Sequence, residues 1–260
     1  MGSFSNPPMF SLIIPAYNEE SYLPRLLDSV DKAIDCYAGG AGSIDVIVAD
    51  NGSTDSTAEL AQARGCWVVS EDKRVIAAVR NAGAKHARGN ILVFVDADSI
   101  IHPDTFNAIN RSLATDKVIG GSSGVRLERF SFGIALAYML MVPMVWLTGL
   151  DTGVVFCRRD DFESIGGYNE ELLFAEDAHF LWNLKLLGRK RGQKLVRVRS
   201  IKAIASTRKF DTHGDWHYPK LILRVGYELI FSRGSMDSIA RKYWYGDQRA
   251  KLTGEDLEDP

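Results

Sequence analysis

Cysteine is scarce in this chain, and neither sign of charge is in excess. The three cysteines (Cys36, Cys66 and Cys157) lie far apart and form no CxxC pair, which argues against a disulfide framework and a thiolate zinc site. Lys and Arg number 31 and Asp and Glu number 33, so the formal net charge is −2. A chain without a general basic field is not expected to bind nucleic acid. Any anion site has to be local.

Secretion signals and two common nucleotide-binding motifs are also missing. Residues 1–8 have neither the charged start nor the apolar core of a secretion signal. We therefore expect a cytoplasmic protein, and peripheral contact with the inner face of the membrane stays open. No GxGxxG follows the first apolar run and no GxxxxGK[ST] occurs in the sequence, which argues against dinucleotide and P-loop sites.

The 260 residues are 46% hydrophobic and 25% charged, as is typical of a soluble globular protein with one large domain. Strand and helix patterns alternate over the first hundred residues. Predicted strands cover Phe10–Pro15, Ile44–Ala49, Cys66–Val69 and Ile91–Val95, and predicted helices cover Asn18–Val30, Thr57–Arg64 and Val75–Ala87. This alternation predicts an α/β fold with a mostly parallel central sheet flanked by helices on both faces.

The pattern changes near residue 116. Further strands are predicted over Val118–Leu127, Gly153–Cys157 and Leu195–Ala205, and helices from Arg159 onward and over Leu172–Leu187. We therefore divide the chain into residues 1–115, residues 116–232 of the same domain, and a polar C-terminal tail over residues 233–260.

Polar clusters follow three predicted strands, at Pro15–Glu19, Asp50–Asp55 and Asp96–Asp98. Ligands of parallel sheets bind beyond the carboxyl ends of the strands, where these clusters would meet. Each cluster alone is equally typical of a turn, but three together favour a site. Asp96 and Asp98 alternate along an extended segment and can converge on one divalent cation, although a solvated turn is the alternative.

In order and spacing, these clusters and further motifs resemble the family-2 glycosyltransferases. These enzymes have the GT-A fold and transfer a sugar from a nucleotide-diphosphate donor. The resemblance covers Phe10 to Phe210 and is carried by Ser11–Glu19 (SLIIPAYNE), Val48–Asp55 (VADNGSTD), Arg80–Gly83 (RNAG), Phe94–Asp98 (FVDAD), Gly166–Glu170 (GGYNE) and Ala175–Asp177 (AED).

The resemblance implies a nucleotide-sugar-binding half in residues 1–115 and an acceptor-binding, catalytic half in residues 116–232. Residue by residue, it implies donor contacts from Pro15, Tyr17, Glu19, Asp50, Asn51, Arg80, Asp96 and Arg208, metal contacts from Asp98 and His213, and catalysis by Asp177. The cofactor would be Mn²⁺ or Mg²⁺ on the diphosphate. The general base would take a proton from an acceptor hydroxyl, and the transferred hexose would be inverted at its anomeric carbon.

Two of these positions have open alternatives. Many relatives have Asp-Asp where this chain has Asp50-Asn51, and the second Asp accepts a hydrogen bond from N3–H of uracil. Asn51 can accept through its oxygen or donate through its NH₂ group, so the base stays open. Asp177 would need a raised pKa, from burial and from Glu176 beside it, whereas the alternative is charge complementarity at a helix N-terminus.

Residues 188–210 contain nine basic and no acidic residues, which mostly indicates a solvated face. The resemblance implies that residues 206–216 form a loop that closes over the diphosphate, with Arg208 or Lys209 balancing the charge of the leaving group. In the alternative interpretation the loop is docked permanently and His213 faces solvent. His217 is a competing metal ligand.

Phe130–Leu150 comprises 21 uncharged residues, long enough to span a bilayer. A single span would put Asp98 and Asp177 on opposite sides of the membrane, so we expect a buried helix or an interfacial surface for a lipid-linked acceptor. Leu221–Phe231 would extend that surface. The resemblance implies a hydroxyl compound as acceptor, and a lipid-linked compound and a saccharide both stay open.

Three rival functions stay open. In a retaining glycosyltransferase Asp177 would orient the acceptor instead of acting as base. A sugar nucleotidyltransferase would carry a glycine-rich N-terminal loop, which Ser11–Glu20 does not contain. A non-catalytic nucleotide-sugar-binding protein would need no acidic residue in the role of base.

Overall fold

The computed structural model describes residues 8–133, 135, 136, 139, 153–173, 175–208, 214–216 and 219. The strands are β1 Phe10–Ala16, β2 Ile44–Asp50, β3 Trp67–Ser70, β4 Ile91–Phe94, β5 Ser99–Ile100, β6 Val118–Ser122, β7 Val125–Leu127, β8 Val155–Arg158, β9 Lys194–Arg197 and β10 Ala203–Ala205. The helices are α1 Leu23–Asp35, α2 Thr57–Ala63, α3 Ile76–His86, α4 Thr105–Leu113, α5 Arg159–Ser164 and α6 Glu176–Lys190.

Seven strands form the central sheet, in the order β3-β2-β1-β4-β8-β6-β9. Strand β1 is parallel to β2 and β4, β2 is parallel to β3, and β6 is parallel to β9, whereas β8 is antiparallel to both of its neighbours. The predicted mostly parallel sheet is confirmed. Because β1, β2 and β4 run in the same direction, the loops that follow them emerge at one edge.

Helices cover both faces of this sheet. Successive side chains of a strand point to opposite faces, so Leu12 and Ile14 share a core with α1 and α4, and Ile13 shares one with α3 and α6. Every residue of β1 is buried, as expected for an inner strand of a covered parallel sheet. The predicted two-sided α/β architecture is confirmed.

A small second sheet has the strand order β5-β10-β7. It joins β10, near the end of the described chain, to two strands from earlier in the sequence. Strand β10 is antiparallel to β5, with Ala205 opposite Ser99, and parallel to β7, with Ala205 opposite Leu127. Asp98 directly precedes β5, and Arg208 lies shortly after β10. The pairing therefore brings these two residues close together.

Two predicted strands are divided in the structure. The predicted strand Val118–Leu127 is two strands, β6 and β7, in different sheets, because Gly124 turns the chain between them with a φ of 75°. The predicted strand Leu195–Ala205 is likewise β9 and β10, separated by a 3₁₀ turn at Arg199–Ile201.

Helix α1 begins later than its apolar spacing predicted. Asn18 has a φ of 53° and cannot be helical, and the helix begins at Leu23 with Pro24 in its first turn. Proline is tolerated there because the first N–H groups of a helix have no partner within it. Helix α6 also begins late, at Glu176.

Helix α4 has no counterpart among the predicted helices. Its buried residues Phe106, Ile109 and Leu113 have helical spacing and pack into the core beside α1. The periodicity was therefore present in the sequence, but over nine residues only.

Several predictions concern residues outside those described: most of the run Phe130–Leu150, the whole of Leu221–Phe231, and residues 233–260. They stay predictions, as does the division at residue 115. In the part of the chain that the structure describes, no helix is long and apolar enough to cross a membrane.

Candidate active site

The loops after β1, β2 and β4 and the start of α6 bring most of the predicted site residues to one edge of the sheet. Glu19 follows β1, Asp50 ends β2, and Asp96 and Asp98 follow β4. Asp177 lies in the first turn of α6. His213 lies outside the described residues, so its predicted role as a metal ligand stays a prediction.

Arg80 of α3 connects the D-x-D segment with the first turn of α6. Its Nη2 lies 2.7 Å from Oδ1 of Asp96, and its Nη1 lies 2.6 Å from Oε1 of Glu176 and 2.9 Å from Oδ1 of Asp177. Its guanidinium also lies over the ring of Tyr168, 5.2 Å from the centroid. The side chain is only 4% exposed, so Arg80 faces carboxylates and has little surface left for a donor.

Asp177 has an environment suited to proton transfer. Burial raises the pKa of Asp177 to about 7; Glu176 and Asp96 add to the rise, and Arg80 opposes it. A carboxyl group with a pKa near neutrality can accept a proton at ordinary pH and remains basic enough to do so. Ala175, the residue before α6, has a φ of 57°, and such left-handed backbone is uncommon outside glycine.

Arg208 forms a second arginine–carboxylate cluster beside the first. Its Nη1 donates to Oε2 of Glu19 at 2.7 Å, its Nη2 donates to Oε1 of the same residue, and its Nε lies 3.2 Å from Oδ2 of Asp98. Glu19 is buried, and burial raises its pKa against the lowering effect of Arg208. Both aspartates of the D-x-D segment are thus paired with arginine.

The residues present fit a divalent cation that is held together with a phosphate ligand. Among the residues described, no three His, Cys, Asp or Glu side chains are arranged to hold a metal ion by themselves. Asp98 offers hard carboxylate oxygens, and Mg²⁺ sites often combine one or two carboxylates with substrate phosphates. Five carboxylates surround the two guanidinium groups here, namely Glu19, Asp96, Asp98, Glu176 and Asp177. A bound diphosphate would add to this excess of negative charge.

Asp50 stabilises a turn. Its carboxylate is buried and accepts hydrogen bonds from the N–H of Ser53 at 3.1 Å and from the Ser53 hydroxyl. Asn18 also stabilises this loop, because its Oδ1 accepts a hydrogen bond from the N–H of Thr54 at 2.8 Å. For Asp50 the structure therefore matches the turn alternative for the second cluster.

Asn51 has a defined side-chain orientation. Its Nδ2 donates to the main-chain carbonyl oxygens of Glu71, at 2.5 Å, and Lys73, at 3.1 Å. Carbonyl oxygens only accept hydrogen bonds, so the NH₂ group must face them. The Oδ1 atom is then the polar atom of Asn51 left to meet a ligand, and it can only accept.

The remaining predicted donor contacts differ in accessibility. Pro15 is buried within β1, opposite Ala49. Tyr17 is half-buried, and Arg74 lies over its ring at 4.9 Å and donates to its hydroxyl at 3.2 Å. Arg74 and Tyr168 were not among the predicted site residues. Tyr168 belongs to the quoted GGYNE motif, whereas Arg74 belongs to no quoted motif.

A mostly parallel sheet with carboxylates, arginines and a D-x-D segment at its carboxyl edge defines a class of proteins. That class is the glycosyltransferases of the GT-A fold, and the predicted GT-A-like fold is confirmed. The sequence matches the model of the family "Glycosyl transferase family 2" over residues 11–173. The chain belongs to this family.

Similar proteins agree with this assignment. The Putative glycosyltransferase EpsH of Bacillus subtilis is 30% identical over 120 residues, which are 43% of this chain and 33% of EpsH. The matches to three curated relatives, EpsH included, cover 33%, 61% and 40% of the relative's length. This chain therefore spans less than two thirds of each of them.

Two solved structures have the same fold at low identity. S. aureus TarS 1-349, in complex with UDP-GlcNAc, has a TM-score of 0.60 and 21% identity, and the match covers 76% of this chain and 58% of that one. Mannosyltransferase PcManGT from Pyrobaculum calidifontis, in complex with GDP-Man and Mn²⁺, has a TM-score of 0.61 and 18% identity, and the match covers 96% and 82%.

Proposed function

We propose that this protein transfers a sugar from a nucleotide-diphosphate donor to an acceptor hydroxyl, with a divalent cation and with inversion at the anomeric carbon. The observation that carries the proposal is the position of Asp177, whose pKa is raised to about 7 and which shares Arg80 with Asp96 of the D-x-D segment. A proton acceptor thus lies directly beside the carboxylates proposed to hold the donor.

In the proposed reaction, Asp177 takes the proton from the acceptor hydroxyl as this oxygen attacks the anomeric carbon. Arg80 orients Asp177 and Asp96 relative to each other through its two Nη atoms. A cation bound at Asp98 would neutralise charge on the departing diphosphate. Arg208 is close enough to Asp98 to supply further positive charge on the same side.

Asn51 favours a base that presents an N–H group to its oxygen. Uracil presents N3–H, and guanine presents N1–H, but the O6 atom of guanine would face an acceptor. We therefore propose uridine diphosphate sugars as the preferred donors, since the NH₂ group of Asn51 is already used by two carbonyl oxygens. TarS was solved with UDP-GlcNAc, and PcManGT with GDP-Man, so the fold accepts both bases.

We propose a lipid-linked acceptor, with peripheral membrane contact, on the basis of an exposed aromatic patch that comprises Phe130, Phe132 and Trp216. These side chains are 73%, 78% and 51% exposed, and the rings of Phe132 and Trp216 lie 6.1 Å apart. The patch follows β7, which pairs with the strand that leads to Arg208. Aromatic side chains of this kind are typical of membrane interfaces.

The experiment that tests the proposed function measures donor hydrolysis and transfer with UDP-, GDP- and dTDP-sugars, each with and without Mn²⁺ or Mg²⁺. Product configuration is read by NMR. An inverted product from a uridine donor, formed only with metal, supports the proposal. A retained anomer would assign Asp177 an orienting role, and binding without hydrolysis or transfer would indicate a nucleotide-sugar-binding protein.

A further inference from the structure

Arg208 connects two carboxylates on different loops. Two of its guanidinium nitrogens donate to the two oxygens of Glu19, and the third, Nε, lies 3.2 Å from Oδ2 of Asp98. The guanidinium also lies over the ring of Tyr22, 4.9 Å from its centroid. All three nitrogens and one face are thus engaged, which fixes the group at the D-x-D segment.

This position conflicts with a metal ion at Asp98. A divalent cation bound to the same carboxylate would lie within a few ångströms of the guanidinium. Two positive groups at that separation repel each other, and the half-buried setting weakens the screening by water. The Asp98 carboxylate is therefore already paired with the positively charged guanidinium of Arg208, and a metal ion has to compete with Arg208 for this carboxylate.

The two arginines differ in how easily they can release their partners. The Arg80 side chain is 4% exposed and is shared by three carboxylates, whereas the Arg208 side chain is 29% exposed and lies 3.2 Å from Asp98 through its Nε. The bidentate contact with Glu19 does not depend on Asp98. Arg208 can thus give up Asp98 and keep its other partner.

We propose that Arg208 keeps divalent cations from binding at Asp98 in the donor-free protein and yields this carboxylate when a nucleotide diphosphate arrives. The inference rests on the proposed function, because it requires a diphosphate donor and a metal at Asp98. The diphosphate supplies negative charge that offsets the repulsion, and its oxygens accept hydrogen bonds from guanidinium groups. Metal and nucleotide would then bind together, each strengthening the other.

The test is a calorimetric titration of the full chain with Mn²⁺, first without nucleotide and then with UDP. The wild type is compared with Arg208→Gln and with Arg25→Gln. Arg25 is a matched control, because it pairs with Glu128 at the surface and has no contact with the D-x-D segment. Without nucleotide, Arg208→Gln should bind Mn²⁺ about tenfold more tightly than the wild type, as expected when one charge-assisted contact no longer competes.

In Arg208→Gln, UDP should also strengthen Mn²⁺ binding less than in the wild type, whereas Arg25→Gln should match the wild type. Arg208→Lys serves as a second variant if the first is poorly folded by circular dichroism. Lysine keeps the positive charge but cannot bridge Glu19 and Asp98 in the same way, so the donor-free Mn²⁺ affinity of Arg208→Lys should lie between those of the wild type and Arg208→Gln.

Equal or weaker donor-free Mn²⁺ binding in the Arg208 variants would overturn the inference. Tight Mn²⁺ binding by the donor-free wild type, unaffected by UDP, would overturn it too and leave the proposed function standing. Absence of Mn²⁺ binding in every protein, even with UDP, would overturn both the inference and the metal dependence of the proposed reaction.

Discussion

Nη1 of Arg80 lies 2.9 Å from Oδ1 of Asp177, and this contact joins helix α3 to the first turn of α6. The same nitrogen lies 2.6 Å from Glu176. Asp177 is therefore subject to opposing effects on its pKa: burial and two neighbouring carboxylates raise it, and the guanidinium lowers it. The balance leaves the pKa at about 7, within the range where the enzyme would work.

Turnover should rise with pH between about 6 and 8, because Asp177 has to be deprotonated to act as base. Asp177→Asn should lower turnover by ~10²-fold or more and abolish this rise, with donor affinity nearly unchanged. The measurements are kcat against pH and donor affinity by calorimetry. Asp160→Asn is the control, since Asp160 is an exposed acidic residue in the first turn of another helix. Equal losses of binding and turnover in Asp177→Asn would place Asp177 in the donor site.

The stability of the fold should also depend on the charge of Asp177. A carboxyl group whose pKa is raised on folding holds its proton in the native state but loses it when unfolded, so the wild type loses stability as pH rises from about 4 to 7. Asp177→Asn has no such loss. Relative to the wild type, it should become more stable by roughly 2–4 kcal/mol between pH 5 and pH 8, as measured by urea denaturation. A constant difference over this range would mean that the pKa is not raised.

Local patterns in the sequence predicted the parallel strands β1, β2 and β4 and the polar residues that follow them, but not the division of two predicted strands between two sheets. A buried run such as Ile91–Phe94 is recognisable from its continuous apolar residues alone. The polar residues directly after such a run mark the end of the strand. Helix α4 is amphipathic but short, and its pattern is weak over so few residues.

The partners within the site could not be predicted in the same way. Arg80 was expected at the donor, but its contacts with Asp96, Glu176 and Asp177 depend on how two helices and a loop pack in space. Arg208 meets Glu19 through a contact between residues 189 positions apart. The spacing of residues along the chain does not predict such pairs. Whether an arginine binds a ligand or a carboxylate of the protein depends on how deeply it is buried.

Asn51→Asp should destabilise the protein and weaken the binding of uridine nucleotides. A carboxylate would face the carbonyl oxygens of Glu71 and Lys73 and could not donate to either. We expect a loss of about 2–3 kcal/mol in unfolding free energy. Asn51→Ala, which removes the hydrogen bonds without adding repulsion, should lose less. Unchanged stability together with tighter UDP binding in Asn51→Asp would show that the Asn51 NH₂ group is not committed to the main chain.

The aromatic patch should bind lipid bilayers. Phe132→Ser combined with Trp216→Ser removes two large exposed apolar surfaces that touch each other, and burial of such surface is what drives interfacial binding. In flotation with vesicles of phosphatidylglycerol and phosphatidylcholine, the wild type should float with the lipid and the double variant should float several-fold less, with little change in melting temperature. Trp67→Ser is the matched control, because Trp67 is 58% exposed on β3, outside the patch. A wild type that stays in the soluble fraction, or equal flotation of the wild type and the double variant, would remove the patch as a membrane contact and favour a soluble saccharide acceptor.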